Sequence, residues 1–324
     1  MKTSSFSYFL FPFLVFLGGC CFGPSSSLVK IAYEAGFSAE TVLMTQYVFS
    51  VLFMLILSAA VFLITLRRTK KEKVRYCAKD IIKLICIGIS ISMTSLMYIF
   101  ALQTIPAHLA VILLFQYTWI GIIAESIIKR RLPDVPIVLS VIILIGATLL
   151  ASGFGSVSIE DISITGVIFG MLSAVFYAAY IQLNASLRNG MNPIYRSLIT
   201  LCVALAVIVI VFTPFYFEPQ FIAETVIGKN LWIIGLLLGS FGCAMPGVLF
   251  AIGTPKIPPG AATILSSSEL PASIICAVII ISEAVTWLQW VGVALLFFGI
   301  ALPYLAELAK KRKKRQQVPN PAAE

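Results

Sequence analysis

The sequence predicts an all-α integral membrane protein whose ten transmembrane helices form two inverted repeats of five helices each. Three observations support this fold class. First, 60% of the 324 residues are hydrophobic and 11% are charged, with a mean hydropathy of +1.01, whereas about a quarter of the residues in a typical soluble domain are charged. Second, the basic residues cluster between long apolar segments. Third, part of the first half of the sequence aligns with part of the second half at a constant offset, which indicates an internal repeat.

The apolar segments have the length of membrane-spanning helices, which need about 20 residues each. They must be helical, because lipid offers no hydrogen-bond partner to backbone N–H and C=O groups and the edge of an open sheet would remain unpaired. The ten predicted spans are residues 10–29, 41–66, 81–102, 107–128, 135–152, 164–183, 197–217, 231–252, 260–281 and 285–305.

The distribution of Lys and Arg predicts the orientation of these spans. With the N-terminus in the cytoplasm, 21 of the 23 basic residues lie on the cytoplasmic side, and only Lys30 and Lys229 lie on the other side. Basic loops stay in the cytoplasm during insertion, so we expect a multi-pass protein of a cell membrane with both termini inside. We expect the basic tail, residues 307–324, to anchor this topology or to bind anionic lipid headgroups. Because the basic residues lie in short loops, a nucleic-acid partner is not expected.

An internal repeat supports the inverted arrangement. Residues 97–149 align with residues 250–302 at a constant offset of 153, which places Pro106 on Pro259 and Gly146 on Gly299. We therefore predict two five-helix repeats, residues 10–153 and 163–306. Because each repeat has an odd number of helices, the second must enter the membrane from the opposite side. Inverted repeats around a midplane site are a recurring plan of secondary transporters, in which the halves open a shared cavity alternately.

Short motifs in both halves are similar to those of a known family. They are Phe22-Gly23 with the segment 25–30, Ser268-Glu269-Leu270-Pro271, Ser282-Glu283 and Gln289-Trp290-Val291-Gly292. With these motifs the chain resembles the EamA-type members of the drug/metabolite transporter superfamily over residues 10–305. The resemblance implies ten helices in two EamA-type repeats and cytoplasmic termini. It also implies export of amino acids, related metabolites or drug-like amphiphiles across a bacterial plasma membrane.

Glu269 is the first candidate for the site, because it lies midway along the ninth predicted span, where an ionisable side chain is costly. Its counterpart at the offset of 153 is Gln116, in the fourth span. We expect both side chains to face a common cavity near the midplane and to bind the substrate or a proton. The alternative is that a neutral Glu269 hydrogen-bonds a neighbouring helix as part of the packing.

Four aromatic residues are further substrate-binding candidates. Trp119 is expected to share a helix face with Gln116, three residues away. Tyr98, Tyr177 and Tyr180 have polar tips that need partners inside a membrane. Packing against lipid or against other helices is the alternative for each of the four.

Glycine and proline residues are predicted to weaken three of the spans and to act as hinges. A proline removes a hydrogen bond from a helix, and the carbonyl groups that it frees can bind a ligand. The predicted hinge residues are Gly23 and Pro24 in the first span, Pro246 and Gly247 in the eighth, and Pro271 in the ninth.

No cofactor, metal ion or catalytic residue is predicted. The seven cysteines lack metal-ligand spacing, and the sequence has no HExxH, GxSxG or ATP-binding motif. An intramembrane enzyme and a non-transporting receptor or scaffold remain the alternatives to a transporter. The expected partners are a small-molecule substrate, protons as candidate coupling ions, and membrane lipids. The sequence does not predict an oligomeric state.

Overall fold

The computed structural model describes residues 5–66, 78–152, 163–187, 191–216 and 231–316. Within these ranges every regular element is a helix, and none is a strand. This confirms the all-helical fold class. The basic loop at 67–77, the loop at 217–230 and the tail beyond residue 316 lie outside the described residues, so the predicted charge asymmetry and the role of the tail stay predictions.

The helices follow one another with short connections. The described part of the first half contains α1 (Ser5–Cys21), α2 (Gly23–Glu34), α3 (Ala39–Leu66), α4 (Ala78–Leu102), α5 (Ala107–Leu114), α6 (Tyr117–Lys129) and α7 (Val135–Ala151). The described part of the second half contains α8 (Ile164–Ser186), α9 (Pro193–Tyr216), α10 (Leu231–Gly239), α11 (Met245–Gly253), α12 (Pro259–Ser266), α13 (Glu269–Ile281) and α14 (Trp287–Gln316). A π-helical turn, Ser240–Ala244, joins α10 to α11.

Nine helical segments among the described residues are long and apolar enough to cross a membrane. Several of them consist of two consecutive helices, such as α1 with α2 and α12 with α13. Helix α7 is also apolar but has 17 residues, fewer than the nine. A multi-pass membrane fold is therefore confirmed, while the count of ten spans stays a prediction that depends on α7.

Large apolar side chains cover the outside of the helix bundle. Ile56, Ile127, Ile210 and Ile279 are each at least 70% exposed. Exposed apolar surface on this scale is rare on soluble monomers, whereas lipid tails solvate it as well as another side chain would. The distribution of apolar surface therefore fits a bundle that is immersed in a bilayer.

Helices of the two halves pack against each other. Helix α4 lies along α8 and α9, α3 lies along α10, α2 contacts α13, and α7 lies along α14. Each of these contacts joins one element of the first half to one of the second. As a result, any space in the centre of the bundle is lined by both halves.

Two spans are interrupted in the same way near their middle. Helix α5 has 8 residues and α6 has 13, and α12 and α13 have the same lengths. Both pairs start after a proline, Pro106 or Pro258, and both end at a residue with a φ of 51°, Arg130 or Ser282. The same pattern of start, break and end thus occurs once in each half.

The helix boundaries correct the pairing of the two candidate polar residues. Each end of α5 and α6 lies 152 residues before the equivalent end of α12 and α13. This offset is one residue shorter than the 153 residues of the sequence alignment. The difference arises because Pro258 and Pro259 are adjacent, and it is Pro258 that corresponds to Pro106. At this register the counterpart of Glu269 is Tyr117 and not Gln116.

Candidate functional site

A cavity of about 710 Å³ lies in the centre of the bundle. Its lining comes from both halves, with residues of α2, α3 and α4 opposite residues of α8, α9 and α13. At one end the lining includes Lys30 and Glu283, whose side chains are about half exposed and form an ion pair at 3.2 Å. At the other end it includes Arg196 and Ser197, which are 4% and 3% exposed. The cavity therefore opens beside the Lys30–Glu283 pair and is closed at Arg196.

Glu269 is the first residue of α13, directly after the break in its span. The hydroxyl of Tyr177 on α8 donates a hydrogen bond to Glu269 Oε2 at 3.2 Å. Both residues line the cavity. Its carboxyl group therefore lies at the N-terminal end of α13. Backbone N–H groups at a helix N-terminus lack the hydrogen-bond partners that a continuous helix would supply.

Tyrosine rings form a continuous wall beside Glu269. Tyr177 stacks on Tyr180, with ring centroids 5.9 Å apart and planes at 12°. Tyr117 packs edge-on against Tyr177 at 4.6 Å. Tyr177 and Tyr180 line the cavity and present aromatic surface to it, which suits a ligand with an apolar body.

Tyr117 links the two interrupted spans. It is fully buried at the start of α6. Its hydroxyl lies 3.3 Å from Ser267 Oγ and accepts a hydrogen bond from Ser266 Oγ at 3.2 Å, at the break between α12 and α13. Sequence reasoning did not select Tyr117, although the 152-residue register would have paired it with Glu269.

Arg196 occupies the closed end of the cavity. Helix α9 begins at Pro193, and the Asn192 side chain accepts a hydrogen bond from the Ile194 N–H at 2.9 Å, which caps the helix start. One turn further on, Arg196 Nη1 donates to the Ala251 carbonyl of α11 at 3.0 Å. Because Arg196 directly precedes the predicted span 197–217, it was expected among the basic residues of a cytoplasmic loop and not as a buried cation in the cavity lining.

Comparisons with known proteins agree with this architecture. Residues 164–305 match the EamA-like transporter family. An uncharacterized transporter of Archaeoglobus fulgidus is 24% identical over 234 residues, which cover 71% of this chain and 80% of that protein. The protein is a membrane transporter whose second half is similar to the EamA-like family. A solved crystal structure with 13% identity and a TM-score of 0.70, covering 91% of this chain and 98% of that one, shows the same fold.

Four of the six substrate-binding candidates in this membrane transporter line the cavity: Glu269, Tyr98, Tyr177 and Tyr180. Gln116 and Trp119 are not among the lining residues. The Gln116 side chain donates to the Ile112 carbonyl at 2.9 Å and accepts from Trp119 Nε1 at 2.7 Å. These two side chains hydrogen-bond to each other and to the backbone at the break between α5 and α6, so they do not meet Glu269 in the cavity.

The predicted hinge residues lie at interruptions of the helices. Gly23 and Pro24 begin α2, after a break at Phe22. Pro246 and Gly247 lie in the first turn of α11, directly after the π-helical turn, and Gly247 lines the cavity. Pro271 is buried in the first turn of α13. Their role as hinges stays a prediction.

Among the described residues no group of His, Cys, Asp and Glu has the geometry of a metal site.

Proposed function

We propose that this membrane transporter is a secondary-active exporter of a small metabolite, such as an amino acid or a drug-like amphiphile. It would act in a bacterial plasma membrane, with both termini in the cytoplasm, by alternating access around the cavity. The observation that carries the proposal is the cavity itself, which is lined by both halves and has Glu269 at a helix break in its wall. Interrupted helices at a central cavity are the usual binding sites of secondary transporters.

The paired interruptions support two inverted repeats, residues 10–153 and 163–306. Equivalent 8- and 13-residue helices occur once in each half. In an inverted arrangement the two halves can exchange conformations, which closes the cavity on one side of the membrane and opens it on the other. The described conformation would then be one of two related states.

Hydrogen bonds between helices support the proposal that the closed end of the cavity, at Arg196, is a gate. Besides Arg196, Gln182 Nε2 donates to the Gly121 carbonyl at 2.6 Å, which joins α8 to α6. Glu125 of α6 accepts a hydrogen bond from the Gly260 N–H and pairs with Lys129. With the predicted topology these contacts lie toward the cytoplasm, so the described cavity faces outward. Inward opening requires that the contacts between helices, those of Arg196, Gln182 and Gly260, separate, whereas the Glu125–Lys129 pair lies within α6.

The lining supports an amphipathic substrate. Tyr98, Tyr177 and Tyr180 supply aromatic surface, while Glu269 supplies a hydrogen-bonding and titratable group. Sites for small organic molecules commonly combine a mostly apolar wall with a few polar groups that fix orientation. Glu269 would bind the substrate or a coupling proton.

Flux measurements in proteoliposomes test the proposal. Purified protein is reconstituted, and the uptake of labelled amino acids and amphiphilic metabolites is compared with that of empty liposomes. We expect at least one solute to cross, and Glu269→Gln to reduce its flux. Glu40→Gln is the matched control, because Glu40 pairs with Gln103 outside the cavity lining. No protein-dependent flux across the panel would contradict transport and favour a receptor, a scaffold or an enzyme.

A further inference from the structure

Arg196 has hydrogen-bonding capacity that the protein does not use. Its side chain is 4% exposed, and its Nη1 is bound to the Ala251 carbonyl. Its Nε and Nη2 are buried and have no hydrogen-bond partner. An unpaired buried guanidinium is costly, and the residue lines the cavity, so a group that enters the cavity could supply the missing partner.

The two free nitrogens are the pair that binds an oxyanion side-on. In a planar guanidinium, the Nε–H and one N–H of Nη2 point in parallel along one edge. Two oxygens of a carboxylate or a phosphoryl group match that spacing, and the resulting pair of charge-assisted hydrogen bonds is both strong and directional. Because Nη1 is held by Ala251, this edge is fixed in orientation before any ligand arrives.

No carboxylate among the described residues satisfies this edge. Among the described residues the ion pairs are Lys30 with Glu283 and Lys129 with Glu125. Glu269 accepts a hydrogen bond from Tyr177 instead. Asp80 is near enough to act on Arg196 electrostatically, but among the described residues no carboxylate forms an ion pair or a hydrogen bond with its Nε and Nη2.

Ser197, the residue after Arg196, offers a second hydrogen-bond donor to a ligand in the cavity. The hydroxyl of Ser197 is also buried and without a partner, and it lines the cavity. Gly247 faces it from α11, and a Cβ atom built on Gly247 would meet only Ser197 within 4 Å, at 3.8 Å from its hydroxyl. A second unpaired hydrogen-bond donor, next to Arg196 in the sequence, therefore lines the cavity and has open space on its Gly247 side.

Tyr177 and Tyr180 form an aromatic surface in the cavity that holds both Glu269 and Arg196. Tyr177 contacts Glu269, Tyr180 stacks on Tyr177, and Tyr180 lines the same cavity as Arg196. A substrate with an oxyanion at Arg196 would therefore lay its apolar body on these rings.

We propose that Arg196 is the head-group residue of the transport site and binds a carboxylate or phosphoryl oxyanion of the substrate through Nε and Nη2. This inference rests on the proposed transport function and narrows the substrate class to anionic or zwitterionic amphiphiles. The rival role for Arg196 is a gate that holds only the Ala251 carbonyl. A gate has no preference for the head group of a ligand, which allows the two roles to be separated.

The test compares ligands that differ only in the head group. Phenylpropionate, phenylpropionamide and phenylethylphosphonate are titrated by calorimetry into full-length protein in nanodiscs, with empty nanodiscs as the blank. We expect one of the two anions to bind about tenfold or more tightly than the amide, because two charge-assisted hydrogen bonds are lost in the amide. The relative affinities of carboxylate and phosphonate identify which oxyanion the edge prefers.

Variants assign the preference to Arg196. In Arg196→Gln the anion and the amide should bind with equal affinity. Arg196→Lys should recover only part of the preference for the anion, because a lysine keeps the charge but lacks the two parallel N–H groups of the guanidinium. Arg131→Gln removes the same charge at an exposed position outside the lining and should change nothing. Melting curves establish that each variant is folded.

Several results would overturn the inference. They are a wild-type protein that binds neither anion, one that binds anion and amide equally, and a folded Arg196→Gln variant that keeps the preference. The comparison within the wild type needs no variant, so an unfolded Arg196→Gln does not prevent the decision. Since the assay measures binding, its failure is distinct from a failure of flux.

Discussion

At the scale of single residues, Glu269 is expected to control transport through its titration. Glu269→Gln keeps the size of the side chain and leaves an amide oxygen that can accept the Tyr177 hydrogen bond. It removes the exchangeable proton and the charge. We expect solute flux to fall about tenfold or more, since a charge-assisted hydrogen bond is worth about 1.5–3 kcal/mol, and the pH dependence of the remaining flux to flatten. Flux against pH in proteoliposomes measures both.

A packing role for Glu269 would give a different result. In that case a well-folded Glu269→Gln protein would keep the flux and the pH profile of the wild type. Glu40→Gln serves again as the control for loss of one carboxylate, because its partner Gln103 and its position are outside the cavity lining.

Residue-level sequence reasoning found part of the site. Glu269 could be selected because one acidic residue in the middle of an apolar span is conspicuous, and Tyr177 because its hydroxyl needs a partner in a membrane. Arg196 could not be selected in the same way, since a basic residue at the end of a span is expected from topology alone. Its place in the cavity depends on how α9 and α11 pack, which the sequence does not express.

At the scale of helices, close packing through glycine is expected to control stability. A Cβ atom added to Gly239 of α10 would lie 2.7 Å from the Ser50 backbone nitrogen of α3. Backbone cannot move aside as a flexible side chain can, so Gly239→Ala should force the helices apart. We expect a loss of about 1–3 kcal/mol in the free energy of unfolding, measured by thermal or denaturant melting in detergent.

Gly146→Ala is the matched control within helix α7. A Cβ atom at Gly146 has no atom within 4 Å, and alanine favours a helix over glycine by about 1 kcal/mol. We therefore expect Gly146→Ala to be neutral or slightly stabilising. Equal melting temperatures for Gly239→Ala and Gly146→Ala would show that the α3–α10 contact is looser than described.

Helix-level prediction succeeded for the existence of the elements and for the breaks that Gly and Pro mark, at Gly23-Pro24 and Pro246-Gly247, but missed the break in the fourth span. Long apolar runs located the spans, because length and hydropathy decide whether a helix can cross a bilayer. The break after Leu114 has no glycine or proline to mark it, so the sequence predicted one continuous helix there. The adjacent Pro258 and Pro259 also shifted the comparison of the halves by one residue, which paired Glu269 with the wrong partner.

At the scale of the whole molecule, the topology is expected to place both termini in the cytoplasm. Single cysteines at Ala35 and Val318, in a background without native cysteines, report this through an impermeant thiol reagent applied to whole cells. Ala35 follows α2 and is exposed, so it should react from outside, while residue 318 should react only after the cells are opened. Reaction of residue 318 in intact cells would reverse the orientation.

The central claim is that the cavity carries a solute by alternating access, and counterflow tests it most directly. Liposomes containing the protein are loaded with unlabelled substrate, diluted, and given a trace of labelled substrate outside. A carrier that must bind solute before it reorients should accumulate label transiently above its external concentration. Label that only rises to equilibrium, with no overshoot at any loading, would contradict alternating access through this cavity.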